Sequence, residues 1–568
     1  MKKLLKKIFV LILIFTVMLM YYPEAVLNNT IEVEAYSGIP AKIRVGINYS
    51  DSAAKDTFTI IPSTAYGLGY VYNKGAFTKL IDLPAGTKIF VRKDDYFYQG
   101  SSQPIKYNLS SSTPSQNKFG PYRIQIGGAL SNYSEAFSKA TEYKTKYGVN
   151  CYPFFRTSWY VCTGDYTSSD LASAGINELK KTNSSIEYKV VSATSTTVVV
   201  QNSSFSTILV FDGSSSFTNV LQVAPASSSS TNKVQVNTPY YRGVIEFRRY
   251  SGKDMTLINE LDFEQYIYGV LPNEIGYSGL AADTLKAHAV ATRTYAYMRV
   301  RGTSKHDSHG FDLCDTTDCQ SYGGCSKERD DICSAVDATK NQVITYNGNP
   351  ISDAVYSSSD GGYSDNAETV WGGSQAYLKA VKDPYDPIDE RSVVMTAQEA
   401  SDTLNAKGYN IGTLSLIEVR NRSVAGRITE LYIKGSKGEV TIKNNGSRGA
   451  FGLRSQMFKM STDVVLTEVS GELGMQLLDK LSGKYYNKDF INAGTYTVNR
   501  IPPGGTGNYN GYYFERIVIS DMKTNITFTT RGYGHGLGMS QKGIIEMGKQ
   551  GMNYVDMLKF YYKGINVE

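Results

Sequence analysis

At 568 residues the chain exceeds what one hydrophobic core can hold, so two to four domains are expected. The formal net charge of +6 is spread without blocks of like charge, which excludes a nucleic-acid-binding stripe and suits an anionic polymer as partner. Tyrosine (44) far outnumbers tryptophan (2) and glycine is abundant (52), the balance of a strand- and loop-rich chain.

Residues 1–35 read as an export segment. Lys2, Lys3, Lys6 and Lys7 precede an apolar run from Ile8 to Tyr22, and Val33, Glu34 and Ala35 offer a small-residue cleavage site. The run falls short of the ~20 residues that span a bilayer, so secretion is expected, with an uncleaved membrane anchor as the other reading. Residues 36–118 form a β-rich N-terminal region: Ile43 to Ile47, Phe58 to Ile61, Tyr66 to Tyr72 and Lys88 to Lys93 are short strand patterns divided by turn residues. A polar linker, 108–118, closes it.

Residues 119–184 have a different order. Tyr122 to Gly128 alternates as a strand, and Ser131 to Tyr147 is helical with Tyr133, Phe137, Ala140 and Tyr143 on one stripe. Two short strands and a second helix, Ser169 to Lys181, complete a βαββα unit. With Arg156-Thr157 as a two-residue turn, Cys151 stands opposite Cys162 at disulfide distance; two buried thiols are the alternative. From Ser185 to Val236 the strand pattern resumes.

The stretch Leu261 to Arg299 carries the first candidate site. An apolar run, Tyr266 to Leu271, breaks at Pro272 and presents Glu274 in a turn. A helix follows Gly279, with Leu285, Ala289, Thr292 and Ala296 on one stripe. Lys286 and Arg293 are two turns apart, roughly 10 Å, on another face. One carboxylate facing two cations suits an anionic or polyhydroxyl substrate; solvated charges and a helix-end carboxylate are the plainer reading.

Beyond it lie the remaining cysteines. His309, Cys314 and Cys319 are spaced to wrap one Zn2+, with His306 and Cys325 as alternates. Two disulfides among Cys314, Cys319, Cys325 and Cys333 are the competing expectation. In Ala354 to Asp386, Gly361-Gly362 permits a tight turn. Ser357, Ser358 and Tyr377 offer hydroxyls, and Trp371 an aromatic face. His535, in the glycine-rich stretch Gly532 to Gln541, is expected to contact substrate rather than act as a base. Within 466–530 sits an insertion with no readable role.

Four groups of these residues, in order, resemble the motifs of the stage II sporulation protein D / LytB (SpoIID/LytB) family. They are YIYGVLPNEI with LKAHAVATRTYAY, DLCDTTDCQSYGG, the stretch from Ala354 to Asp386, and RGAFGLRS with GYGHGLGMSQ. The chain departs at Ile275 (usually Met), His288 (Gln), Asp318 (His), Ser364-Asp365 (Thr-Glu) and Tyr533 (Trp). YRIQIGG and YVCTGDY resemble the SPOR domain, a module that recognises glycan strands lacking stem peptides. The implied fold is α+β, β-rich and multidomain. A small SPOR-like module at 119–184 precedes a mixed α/β catalytic domain at 185–568 (core 238–568).

The resemblance implies a secreted lytic transglycosylase that cleaves the MurNAc–GlcNAc bond of peptidoglycan to 1,6-anhydro-MurNAc ends. Glu274 would be its single acid and base, a structural Zn2+ would sit in the cysteine loop, and no cofactor would enter the chemistry. With Asp318 where the pattern has His, His309 or His306 would substitute as ligand. Glu274 must begin protonated, which Val270, Leu271, Pro272 and Ile275 favour and a contacting cation opposes. Lys286 and Arg293 are therefore expected on sugar hydroxyls and the lactyl carboxylate. Two alternatives stand beside this reading. One is a hydrolase with Asp360, Asp365 or Glu368 as second carboxylate. The other is a non-catalytic wall protein that modulates an amidase. Glycan strands, and other wall hydrolases such as an amidase, are the expected partners, with no nucleic acid.

Overall fold

The computed structural model describes residues 36–568 apart from 50–53, 109–116, 214–215, 217, 251–254, 303, 463, 468–496, 501–515 and 520. The expected export segment and most of the 466–530 insertion lie outside the described residues. What is described is a strand-rich, mixed α/β arrangement of several sheets. Among the described residues no helix is long and apolar enough to cross a membrane.

The 119–184 region has the expected βαββα order. Strand Tyr122–Leu130 leads into helix α1 (Tyr133–Tyr147), strands Cys151–Phe155 and Trp159–Tyr166 follow, and helix α2 (Ser169–Thr182) comes next. A further strand outside that span, Tyr188–Ser192, pairs with Tyr122–Leu130. All four strands join strands from the N-terminal region in one ten-stranded sheet. Asn132 caps α1 by accepting the Glu135 N–H at 3.0 Å. The stripe α1 buries is Ala136, Ala140 and Tyr143, whereas Phe137 is 55% exposed.

The two-residue turn at Arg156-Thr157 is corrected by the register. Phe155 pairs with Trp159, so the connection has three residues, and Cys151 pairs with Thr163 while Cys162 pairs with Tyr152. A shift of one residue turns a side chain to the other face of a sheet. Cys151 accordingly packs with Ile124, Ile126 and Val161, and Cys162 with Tyr152, Phe154 and Val199 in a separate cluster. Both are free thiols.

A seven-stranded sheet delivers the chain to the Glu274 stretch. Lys42–Ile47 pairs antiparallel with Met255–Asp262, which pairs with Val244–Arg249. The N-terminal strands therefore share a hydrophobic core with the segment that leads into the site. Asp262 ends the strand and caps helix α3 (Phe263–Glu274), accepting the N–H groups of Glu264 and Gln265 at 3.0 and 3.3 Å. The helix runs through Pro272, so Glu274 ends a helix rather than occupying a separate turn. Near a C-terminus a proline removes a single intrahelical bond, and its fixed φ is helical. Gly276, at φ +62, then turns the chain.

Helix α4 (Ala282–Arg301) is central. Residues on all its sides are buried, including Leu285, His288, Ala291, Thr292 and Arg293, as expected of a helix enclosed by its neighbours. Helix α5 (Asp330–Ala338) packs on both α3 and α4. Next comes a second core, built from helix α6 (Ala397–Ala406) and strands such as Leu414–Arg422, Ile428–Gly435 and Asn525–Arg531. The chain then returns to the first core through helix α7 (Gln541–Lys549) and helix α8 (Tyr554–Tyr561), both against α4. Thr284 Oγ1 donates to the Ile544 carbonyl at 3.0 Å across that contact.

Candidate functional site

Glu274 is partly buried at the end of α3. Burial pushes its carboxyl above the ordinary glutamate range, and the Ser321 N–H, donating to Oε1 at 2.7 Å, opposes that rise. Among the described residues no cation and no second carboxylate is in hydrogen-bond contact with it. Its surroundings are aromatic. Burial and then the Glu274 carboxylate raise the Tyr356 hydroxyl well above its usual value, and Glu274 acts on the buried Tyr266 hydroxyl in the same direction.

The loop that supplies Ser321 is fixed by Gln320. The Gln320 amide donates to the Thr292 carbonyl (3.3 Å) and to Tyr356 Oη (3.2 Å), and its oxygen accepts from Tyr266 Oη at 2.9 Å. Beyond it, Gly323 donates its N–H to the Gly269 carbonyl at 3.3 Å. A side chain at position 269 would put its Cβ 2.5 Å from the Tyr322 ring, so only glycine lets α3 accept this loop. Neither Gln320 nor Ser321 stood out in the sequence, because Ser321 acts through a backbone N–H that no residue type announces. Their position directly after Cys319 was the available signal.

The two expected cations do not join Glu274. Arg293 is fully buried and paired with Glu264, Nε to Oε1 at 2.9 Å and Nη2 to Oε2 at 2.7 Å. It also donates to the carbonyls of Val336 and Gln342. Arg293 is therefore a tie among α3, α4 and α5, and its assignment to a sugar is withdrawn. Lys286 is partly exposed, 3.7 Å from Asp283 and above the Tyr554 ring. Those contacts place it at the surface between α4 and α8. His288, the departure from the family glutamine, is buried between Thr292 Oγ1 (3.2 Å) and Gln541 Nε2 (3.0 Å). Burial pulls it down to about 3, so it is a neutral link between α4 and α7.

The expected hydroxyls prove mostly structural. Tyr377 is buried, with its Oη 2.8 Å from Ser352 Oγ. Ser357 is buried against Gly534, where φ is +113 and an added Cβ would lie 2.7 Å from the serine Cβ. Ser358 is partly exposed and its carbonyl accepts the Lys542 N–H at 3.1 Å. His535 accepts the Leu537 N–H on Nδ1 at 3.0 Å, and its ring lies against the Tyr356 backbone. Burial, then the nearby Arg448 and Arg427, bring it down to about 4. Its Nδ1 thus ties the glycine-rich loop at Leu537.

The carboxylates considered as second catalytic groups are engaged elsewhere. Asp360 is buried with Asp383 and Asp386, and burial and then those neighbours raise it to about 9. Asp365 is buried 3.7 Å from Arg427 Nη1. Glu368 is exposed and bonded to Ser374 and Lys379.

Of the cysteine loop, His306, Cys314, Asp318 and Cys319 bring ligand atoms within 4.8 Å of one another. His306 Nε2 lies 3.3 Å from Cys319 Sγ, and Cys314 Sγ lies 3.8 Å from Asp318 Oδ2. The hydrogen bond from Cys319, with help from Thr316 and His306, brings Cys314 down to about 5 and leaves Cys319 as the protonated partner. His309 belongs to another contact set: its ring is 3.1 Å from Ser308 Oγ and its carbonyl accepts from Tyr250. The glycine after it, Gly310 at φ +76, turns the chain away towards Phe311. Cys325 stands apart, next to Arg242 and Glu328. The histidine of the cluster is thus His306 and not His309.

The fold and this arrangement define a mixed α/β protein in which an elevated carboxyl, that of Glu274, stands beside a thiol-rich loop. Residues 251–346 match the family model described as Stage II sporulation protein (SpoIID). The chain is 27% identical over 353 residues to the amidase enhancer of Bacillus subtilis (strain 168), covering 61% of this chain and 46% of that protein. It is 24% identical over 323 residues to stage II sporulation protein D of Bacillus amyloliquefaciens, covering 55% and 75%. The corresponding Bacillus subtilis protein is 26% identical over 325 residues, again 55% and 75%. Residues 251–346 are thus similar to the SpoIID model, and the chain's match spans less than half the length of the amidase enhancer.

Proposed function

We propose that the chain is a cell-wall lytic transglycosylase that cleaves the MurNAc–GlcNAc bond of peptidoglycan glycan strands, with Glu274 as the only acid and base. The observation that carries this is the isolation of Glu274: its carboxyl is raised by burial, steadied by one backbone N–H and, among the described residues, out of contact with any second carboxylate. Hydrolysis ordinarily needs two carboxyl groups flanking the bond. Protonated Glu274 gives its proton to the bridging oxygen as the C1–O bond breaks. The resulting carboxylate takes the proton of the MurNAc C6 hydroxyl, whose oxygen closes on C1. This yields the 1,6-anhydro end, regenerates the acid and consumes no water.

Two accessory readings accompany it. The 119–184 unit acts as a SPOR-like glycan-binding module, supported by its βαββα order and the two motifs it carries. Two thiols, an imidazole and a carboxylate suit tetrahedral Zn2+, held by His306, Cys314 and Cys319 with Asp318 or water as fourth ligand. When bound, the ion fixes the loop and activates nothing in the reaction. Export to the wall rests on the sequence of residues 1–35.

The test is Glu274→Gln in the full chain. It abolishes release of soluble fragments from glycan strands while wall binding is kept and the thermal transition is not lowered. Undiminished release contradicts the assignment.

A further inference from the structure

Three loops distant in sequence meet beside Tyr356–Ser357. Tyr356–Ser357 pairs in parallel with Met539–Ser540, and Ser359 and Tyr533 exchange backbone hydrogen bonds at 3.1 and 2.9 Å. Gly534 donates its N–H to the Arg454 carbonyl at 2.9 Å, and Asn445 donates to the Val370 carbonyl at 3.4 Å. These ties bring Trp371 and His535 to a ring distance of 5.4 Å, and they set Arg448 beside both His535 and Tyr533.

Two features of this place are unusual. Trp371 is 45% exposed and Tyr533 56% exposed, large aromatic rings bared next to one another's loops. Arg448, partly buried, donates from Nη1 to the Arg454 carbonyl at 3.3 Å, and among the described residues no carboxylate pairs with it. Its neighbours differ: Arg427 lies against Asp365, Arg454 against Asp389 and Arg531 against Glu390. A partly desolvated guanidinium without a counter-ion is a standing cost that a ligand anion can offset. Its planar fork matches a carboxylate. Bared aromatic rings beside it give a sugar ring an apolar face to lie on.

We propose that Arg448, with Trp371 and Tyr533, forms a subsite for a sugar residue that bears a carboxylate, here the lactyl carboxylate of a MurNAc carrying no stem peptide. The inference rests on the glycan reading of Glu274 and names the group that selects among glycans. A stem peptide converts this carboxylate into an amide, which is neutral and loses the paired N–H···O− contact. His535 connects the subsite to the Tyr356 backbone, and the Tyr356 hydroxyl connects to Gln320, adjacent to the Ser321 amide on Glu274. The discriminating group and the acid thus belong to one continuous set of contacts.

The experiment uses the full chain carrying Glu274→Gln, so that ligand stays intact, and titrates two probes calorimetrically. One is a (GlcNAc–MurNAc)2 tetrasaccharide with free lactyl carboxylates; the other is the same sugar with those groups converted to methylamides. The free acid binds about ten-fold more tightly than the amide. Arg448→Met reduces the free acid to the affinity of the amide, Arg448→Lys keeps part of the preference, and Trp371→Ala weakens both sugars alike. Equal affinity of the parent for both sugars, binding of neither, or an unchanged preference in Arg448→Met overturns the proposal. Residual cleavage by the Glu274→Gln chain would count against the catalytic reading alone, and appears separately as product.

Discussion

The N–H of Ser321 donates to Glu274 Oε1 at 2.7 Å, and Ser321 stands two residues after Cys319 of the thiol cluster. The acid at the end of α3 is therefore steadied by the loop that the cysteines and Gln320 shape. The bond favours the carboxylate while burial favours the acid, and burial prevails.

That balance makes stability depend on pH. A carboxyl raised in the fold binds its proton more tightly than in the unfolded chain, so its stabilising contribution is complete below the ordinary glutamate range and is lost as pH rises through its folded value. Glu274→Gln, permanently neutral, should melt above the parent at pH 7 to 8, and the difference should shrink towards pH 4. Calorimetric melting across that range measures it; a difference independent of pH contradicts the raised carboxyl.

The Arg293–Glu264 pair gives a prediction of opposite kind. Arg293→Met leaves Glu264 buried without its partner, which should cost about 3–5 kcal/mol. Replacing both, Arg293→Met with Glu264→Leu, should recover most of this loss. Denaturant unfolding of the three variants tests the pair as a structural tie; a substrate-binding role would instead leave stability intact and weaken glycan affinity.

Cys151 and Cys162 lie on opposite faces of their sheet, and burial raises them to about 11 and 12. Intact-mass analysis of oxidised protein should find no bond between them, and alkylation should reach both only on unfolding. A cross-linked Cys151–Cys162 peptide contradicts the register.

Much of this fold was legible. The βαββα order followed from periodicity, and the α3–α4 stretch from apolar runs around Glu274. The errors have physical causes. One extra residue in the turn after Phe155 moved Cys162 to the other face, since strand side chains repeat every two residues. Arg293 looked like a site cation because its partner, Glu264, is an unremarkable residue in the first turn of α3, and only packing reveals the pair. The cluster chose His306 over His309 through a loop conformation that spacing does not encode. Ser357 and Tyr377 were singled out by residue type, whereas burial decides their role.

The thiol loop yields a prediction on metal. His306→Ala should strip zinc from about one ion per chain to near none, whereas His309→Ala should retain it. Chelation should lower the melting temperature of the parent and slow glycan release, because the loop holds Ser321 against Glu274. Elemental analysis of the two variants decides between the histidines; loss of zinc with His309→Ala alone reverses the assignment.

The alkaline behaviour of the Asp360 cluster can also be read. Burial with Asp383 and Asp386 raises Asp360 to about 9, so its contribution is complete below the ordinary aspartate range and fades as pH climbs towards 9. Asp360→Asn should reduce the parent's loss of melting temperature between pH 6 and 9. An unchanged slope contradicts a protonated Asp360.

The most direct test of the central claim is the chemistry of the new chain ends. Glycan strands stripped of stem peptides are incubated with the purified chain in oxygen-18 water, and the fragments are analysed by mass spectrometry. A single acid and base predicts 1,6-anhydro-MurNAc ends, lighter by one water than reducing ends and free of label. Reducing MurNAc ends carrying oxygen-18 would show that water attacks C1, and would contradict the account of Glu274.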